Sequence, residues 1–236
     1  ALPILADFLA PLAGLPPLAC AVVHPCDGES LRGALDAQAA GLIHAVLIAP
    51  QDKLRAVAAE HGLELAGSML IDVPHSHAAA QKAVALAASS EVGALMKGSL
   101  HTDELMGAVV RRETGLRTAR RVSHVFVLDV PAYPRPLLVT DAAINIFPDL
   151  DAKRDIIQNA IDLFTQVGLG TPRVAILSAV ETVTTKIPST IEAAALCKMA
   201  DRRQISGALV DGPLAFDTAI SAEAAQQENI VSPVAG

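Results

Sequence analysis

At 236 residues, 52% of them hydrophobic, the chain can bury a sizeable core as one large domain or two smaller ones. A net charge of −7 argues against non-specific binding to nucleic acid or an anionic membrane, and no apolar run is long enough to span a bilayer. Cys20, Cys26 and Cys197 are an odd set without zinc-like spacing, which fits reduced thiols in a cytoplasmic protein. Five Phe, one Tyr and no Trp leave a core of small aliphatic side chains. The first 23 residues are apolar, but Asp7 and several prolines interrupt them and no charged region leads them, so no signal peptide is expected.

The spacing of Leu2–Leu12 predicts an opening helix. Leu18–Val23 reads as the first strand, His24-Pro25-Cys26-Asp27-Gly28 as its turn, and Glu29–Ala40 as a helix with Leu31 and Leu35 on one face. Ala45–Ile48 is a strand, and Gln51–His61 is a helix closed by Gly62. Ser68–Ile71 is a weaker strand before the alanine-rich helix Ser76–Ala88. Ala94–Met96 is a fourth strand ending in Lys97-Gly98, and Thr102 is expected to cap a helix running to about Arg111. Strands alternating with helices argue for βαβ units and a mainly parallel sheet.

The pattern then changes. Ser123–Val130 and Leu137–Thr140 read as strands joined by the proline-rich Pro131–Pro136, and so as an antiparallel pair. Leu150–Val167 is the longest predicted helix, with apolar Ile156, Ile157, Ala160, Ile161 and Phe164, stopped by Gly168 and Gly170. Val174–Ser178 is a strand, Thr190–Ala200 a helix, Ala208–Val210 a strand, and Asp217–Gln227 a last helix. Asp211-Gly212-Pro213 is expected to end the strand and start that helix, with Asp211 as its cap. The break between the two series falls near Asp141–Pro148, which divides the chain into 1–145 and 146–236.

Candidate chemistry lies at the strand ends, where open α/β sheets bind ligands and helix N-termini favour anions. Lys97 supplies a charge, Gly98 a close turn, and His101 a group that exchanges protons near neutral pH. The loop after Val174–Ser178 holds Glu181 and Lys186, with Ser189-Thr190 ahead of Glu192 as a helix cap. Asn145 can bond a ligand or, with Asp141, its own turn. Arg111, Arg112, Arg117, Arg120 and Arg121 can hold phosphates, but a charge run of this kind more often stays solvated or pairs with acids of a second subunit. His24 with Asp27, or His75 with His77, lacks the further ligands a metal needs, so no metal is expected. There is no Walker A, no GxGxxG and no Gly-x-Ser-x-Gly elbow. These residues describe a two-part α/β protein binding an anionic small molecule, through Lys97, Gly98, His101, Asn145, Lys186, Asp211 and Gly212.

The chain resembles the phosphate acetyltransferase/phosphate butyryltransferase family. The resemblance is carried by His24-Pro25-Cys26-Asp27, Met96-Lys97-Gly98, Thr140-Asp141-Ala142-Ala143-Ile144-Asn145-Ile146, Ser178-Ala179-Val180-Glu181, Pro188-Ser189-Thr190 and, most specifically, Asp211-Gly212-Pro213-Leu214-Ala215-Phe216-Asp217. The opening is similar to the acetyltransferase domain of bifunctional enoyl-CoA hydratase/phosphate acetyltransferases. The resemblance implies a two-domain α/β fold like that of isocitrate and isopropylmalate dehydrogenases, with an interdomain cleft. It implies reversible acyl transfer between coenzyme A and phosphate in a cytoplasmic homodimer, with acyl-CoA, phosphate and acyl phosphate as substrates and no permanently bound cofactor. The family's Ser-Arg pair and downstream Asp have no counterpart before Gly236, so the catalytic roles fall on no residue here, and the second domain is expected to be incomplete. Two other readings stay open at this point: a metal- and NAD-dependent dehydrogenase of the related fold, and a non-catalytic fragment that binds CoA or acyl phosphate.

Overall fold

The structure is a computed structural model that describes Ala6 and residues 8–236. The opening helix expected over Leu2–Leu12 lies partly outside the described residues, and Ala10–Leu12 is a short 3-10 helix. Contacts divide the chain into two compact units, one of 11–119 and one of 120–236 together with the described residues up to Ala10.

In the first unit, β1 (Leu18–Val23), β2 (Ile43–Ala49), β3 (Met69–Asp72) and β4 (Ala94–Lys97) alternate with α1 (Gly28–Ala39), α2 (Gln51–Glu60), α3 (Ser76–Ala88) and α4 (Thr102–Val109). The strands form one wholly parallel sheet in the order β3-β2-β1-β4. Side chains alternate across it, as the two-residue period of a strand requires. Val22, Ala45, Leu47 and Ala49 pack on Leu31 and Ala34 of α1 and Leu54 and Ala58 of α2. Ala21, Val23, Val46 and Ile48 pack on Ala79, Ala80, Ala83 and Val84 of α3 and Leu105 and Ala108 of α4. Both faces are covered, so the strands read as apolar runs without a polar side. Alanine on α3 lets that helix lie close to the sheet.

In the second unit, β5 (Val125–Leu128) and β6 (Leu137–Thr140) form the expected antiparallel pair. The helix α5 (Leu150–Gln166) and α6 (Pro188–Asp201) pack with β7 (Arg173–Leu177) and β8 (Leu209–Leu214) around Ile157, Ile161, Leu196 and Ile205. Two short helices, α7 (Phe216–Ile220) and α8 (Ala222–Gln227), replace the single helix expected over Asp217–Gln227. They part at Ser221, whose hydroxyl accepts from Ala224 N at 3.2 Å and caps α8.

The contact boundary at 119/120 lies upstream of the 145/146 division expected from the sequence. The reason is the grip of α5 on the approach to the hairpin. Arg120 pairs with Asp162, Asp155 accepts from Arg121 N, and Asn159 donates to Arg121 O and Ser123 Oγ.

The largest departure is at Asp211-Gly212-Pro213. These residues do not end β8; they lie inside it. Parallel pairing with β7 continues to Leu177–Leu214, with a register shift between Ala175 and Leu177, and Ser178 N donates to Leu214 O at 2.9 Å. The irregularity absorbs the donor that Pro213 lacks. Gly212 is required because a Cβ there would stand 2.6 Å from Ile176 O. Asp211 therefore caps no helix. Its place is taken by Glu181, which accepts from Ala215 N at 3.4 Å and Thr218 Oγ1 at 3.1 Å at the start of α7.

Candidate functional site

Strand order reverses direction in the first unit at β1: β2 and β3 lie to one side and β4 to the other. In open α/β sheets the loops leaving such a pair separate and form a crevice at the carboxyl edge. The β1 loop is His24-Pro25-Cys26-Asp27, and the β4 loop is Gly98-Ser99-Leu100-His101.

The two loops are stitched together. Gly98 N donates to Val23 O at 2.9 Å and Ser99 N to His24 O at 2.8 Å. The ring of His24 completes the stitch, with Nδ1 donating to Ser99 O at 2.8 Å. A carbonyl only accepts, so Nδ1 carries a proton and Nε2 is the ring's variable atom. Gly98 is compulsory, because a Cβ there would lie 2.5 Å from Val23 O and 2.7 Å from the carbonyl carbon and oxygen of His24. Asp27 caps α1 through Ser30 N at 2.8 Å. The Ser30 amide above all, with the hydroxyls of Ser30 and Ser99, outweighs burial and holds the Asp27 carboxyl below the usual range.

Lys97 is exposed at the tip of β4, and His101 is the exposed N-cap of α4. Thr102, expected as the cap, is the first helical residue instead, and no side chain bonds the first amides of α4. Lys97, Gly98 and His101 are thus brought to one strand tip. His24 joins them, although the sequence argument set it aside with the metal question. Its signal was a histidine directly after a buried strand and before a proline.

The second unit holds the other four candidates. Lys186 is exposed in the loop after β7, beside Thr184, whose backbone is tied to the buried hydroxyl of Thr190. Thr190 thereby fixes the loop from inside rather than capping α6, whose N-cap is Ile187. Ser178 and Ser189 share a hydroxyl–hydroxyl bond of 2.7 Å at the base of this loop. Asp211 and Gly212 lie within β8, where Asp211 Oδ1 is 4.0 Å from Cys197 Sγ. Burial first, then the Asp211 charge, pushes the Cys197 thiol up to about 11, so it is a poor nucleophile.

Asn145 bonds the protein rather than open space. Its Oδ1 accepts from Arg121 Nε at 2.6 Å, and its Nδ2 donates to Val122 O at 3.0 Å and to the Asp141 carboxylate. Asp141 gathers the amides of His124, Ala143, Ile144 and Asn145. Burial pushes the Asp141 carboxyl up, but these bonds, led by Asn145, more than offset it and leave it lowered. Of the arginine cluster, Arg120 and Arg121 are engaged with α5 and Asn145, while Arg111, Arg112 and Arg117 are exposed. A hollow of about 490 Å³ lies along α8 and the C-terminal segment. Its lining is uncharged, with Gln226, Asn229 and Ser232 as its polar side chains, and it holds none of the candidates.

Comparison with known proteins bears on the family of the chain. The family described as "Phosphate acetyl/butaryl transferase" matches residues 75–236. The phosphate acetyltransferase of Rhizobium meliloti is 65% identical over 220 residues, covering 93% of this chain and 70% of that protein. The phosphate acetyltransferase of Rickettsia felis is 56% identical, covering 98% of this chain and 66% of its own length. The phosphate butyryltransferase of Clostridium acetobutylicum is 38% identical, covering 92% and 72%. Among solved structures, a branched-chain phosphotransacylase from Enterococcus faecalis superposes with a TM-score of 0.78 at 26% identity, over 93% of this chain and 76% of that one. The matching stretch contains Lys97, Gly98, Asn145, Lys186 and Asp211, and with identity to the Rhizobium protein across nearly the whole sequence it shows that the chain belongs to the phosphate acetyl/butaryl transferase family.

Proposed function

We propose that the chain serves reversible acyl transfer between coenzyme A and inorganic phosphate, with acetyl preferred to butyryl. The observation that carries this reading is the 65% identity to a phosphate acetyltransferase, against 38% to a phosphate butyryltransferase. The reaction has two parts that protein groups must serve. The thiolate of CoA attacks the acyl carbonyl of acyl phosphate, the thioester C–S bond forms, and the C–O bond to phosphate breaks. Negative charge gathers on the carbonyl oxygen and then on the departing phosphate, so cations and backbone amides must stand there beforehand.

In this proposal Lys97 and the uncapped amides at the start of α4 receive phosphate oxygens, and Gly98 lets the backbone approach them. Lys186 is a second exposed cation able to meet an anionic substrate. Asp211 and Gly212 shape β8 beneath its loop, and Asn145 acts indirectly by fixing Arg121 and the Asp141 turn. The substrates are acyl-CoA, phosphate and acyl phosphate, with no permanently bound cofactor. A cytoplasmic homodimer and a fold relationship to isocitrate and isopropylmalate dehydrogenases complete the reading.

The test is thiol release from acetyl-CoA. Release that requires added inorganic phosphate and yields acetyl phosphate is expected. Release at the same rate without phosphate overturns the proposal.

A further inference from the structure

The residue with the most conspicuous unspent capacity is His24. Only 7% of the residue is exposed, and its backbone adopts φ +54°, a left-handed conformation unusual for a residue with a Cβ. The surroundings hold it there at four points. Its N donates to Ile48 O at 2.8 Å, its carbonyl accepts from Cys26 N and Ser99 N, and Nδ1 donates to Ser99 O. Strained, over-determined positions of this kind collect at binding sites. Yet Nε2 bonds no described residue, and it is not among the sealed, unpartnered polar atoms, of which His124 Nδ1 is the one example in the described residues. Nε2 therefore keeps access to solvent at the β1–β4 strand tips. The helix whose first amides lack a side-chain cap begins three residues after Ser99.

We propose that His24 contacts substrate: Nδ1–H stays on Ser99 O, and Nε2 accepts a hydrogen bond from the P–OH of hydrogen phosphate. An imidazole held at one nitrogen presents the other as a fixed acceptor, which the hydroxyl of a hydrogen phosphate meets without reorganising the ring. The charged neighbours fit this. Lys97 adds a cation at the tip of β4, and Lys53 of α2 lies close enough to act on Cys26. Asp27, the acid of the same loop, is spent on Ser30 and Ser99, and Glu104 on α4 is turned to Ser76 and His77 of α3. Asp103, in the first turn of α4, is exposed.

The inference rests on the acyl-transfer reading for its kinetic arm only. In the spectroscopic arm, inorganic phosphate is titrated into the protein and the ring signals of its histidines are followed by NMR. The His24 signals are expected to shift saturably, beyond any change produced by chloride at equal ionic strength. In the kinetic arm His24→Asn is used, because Asn tolerates left-handed φ and keeps the backbone. The KM for phosphate is expected to rise about tenfold or more, the range of one lost charge-assisted hydrogen bond, with the KM for acyl-CoA unchanged. His24 signals indifferent to phosphate overturn the proposal, as does an equal rise in both KM values. If no phosphate-dependent thiol release exists at all, acyl transfer fails, and the phosphate titration still decides whether His24 meets an anion.

Discussion

Gly98→Ala tests the strand-tip geometry by adding one carbon. The new Cβ would stand 2.5 Å from Val23 O and 2.7 Å from His24 C and O. All three are backbone atoms of a fully buried strand end, so no side chain can swing aside. Relief requires β4 to move off β1, which gives up Gly98 N–Val23 O, Ser99 N–His24 O and His24 Nδ1–Ser99 O. At about 1 kcal/mol each these sum to about 3 kcal/mol, and residual overpacking adds about 1–2 kcal/mol. Domains of this kind have about 5–15 kcal/mol in total, so the loss is severe without being fatal. Gly33 in α1 and Gly107 in α4 are the controls, since a Cβ at either meets nothing within 4 Å. Alanine there should stabilise by about 0.5–1 kcal/mol through helix propensity. Denaturant unfolding gives the free energies, and hydrogen exchange at β1 and β4 amides shows where stability is lost. Gly98→Ala as stable as Gly107→Ala would refute the claim that the two loops are in backbone contact.

Further predictions follow from single side chains. Lys97→Ala should raise the KM for phosphate about tenfold while leaving the unfolding midpoint alone, as expected for an exposed cation; unchanged kinetics would make Lys97 a solvated residue. Asp27, Asp141, Asp155 and Asp162 have carboxyls held lower in the folded chain than in the unfolded one. Their stabilisation is complete above the unfolded pKa near 4 and is lost as pH falls through the folded values, so the unfolding midpoint should be flat from neutrality to about pH 4 and drop below it. A midpoint already falling at about pH 6 would contradict this. Cys197, with its thiol at about 11, should react with iodoacetamide at pH 7 about a hundredfold more slowly than an unperturbed cysteine, read by mass spectrometry; ordinary reactivity would show that burial beside Asp211 has no such effect.

Much of the first unit was legible because its signals are local. Leu18–Val23 and Ser76–Ala88 were bounded without error by an apolar run and by a helix former ending in small polar residues. Leu137–Thr140 was equally clear, set off by its prolines. What escaped depends on partners far along the chain. Asp211-Gly212-Pro213 looks like a stop, but the carbonyl of Ile176, 36 residues earlier, is what demands Gly212, and the irregular pairing with β7 lets Pro213 stay in the strand. Asn145 reads either as a ligand group or as part of its own turn with Asp141; the turn is what forms, but its bond to Arg121, 24 residues earlier, has no local signal. His24 gains meaning only from Ser99, 75 residues away. The unit boundary moved for the same reason, because Asp155, Asn159 and Asp162 on α5 claim the segment from Arg120 to Ser123.

The central claim is tested most directly in the reverse direction. Acetyl phosphate and CoA are mixed with the protein, and thioester formation is followed alongside the release of inorganic phosphate. The account predicts one phosphate released for each thioester formed, and no release when CoA is withheld. Phosphate released without thioester would mark a hydrolase and contradict it.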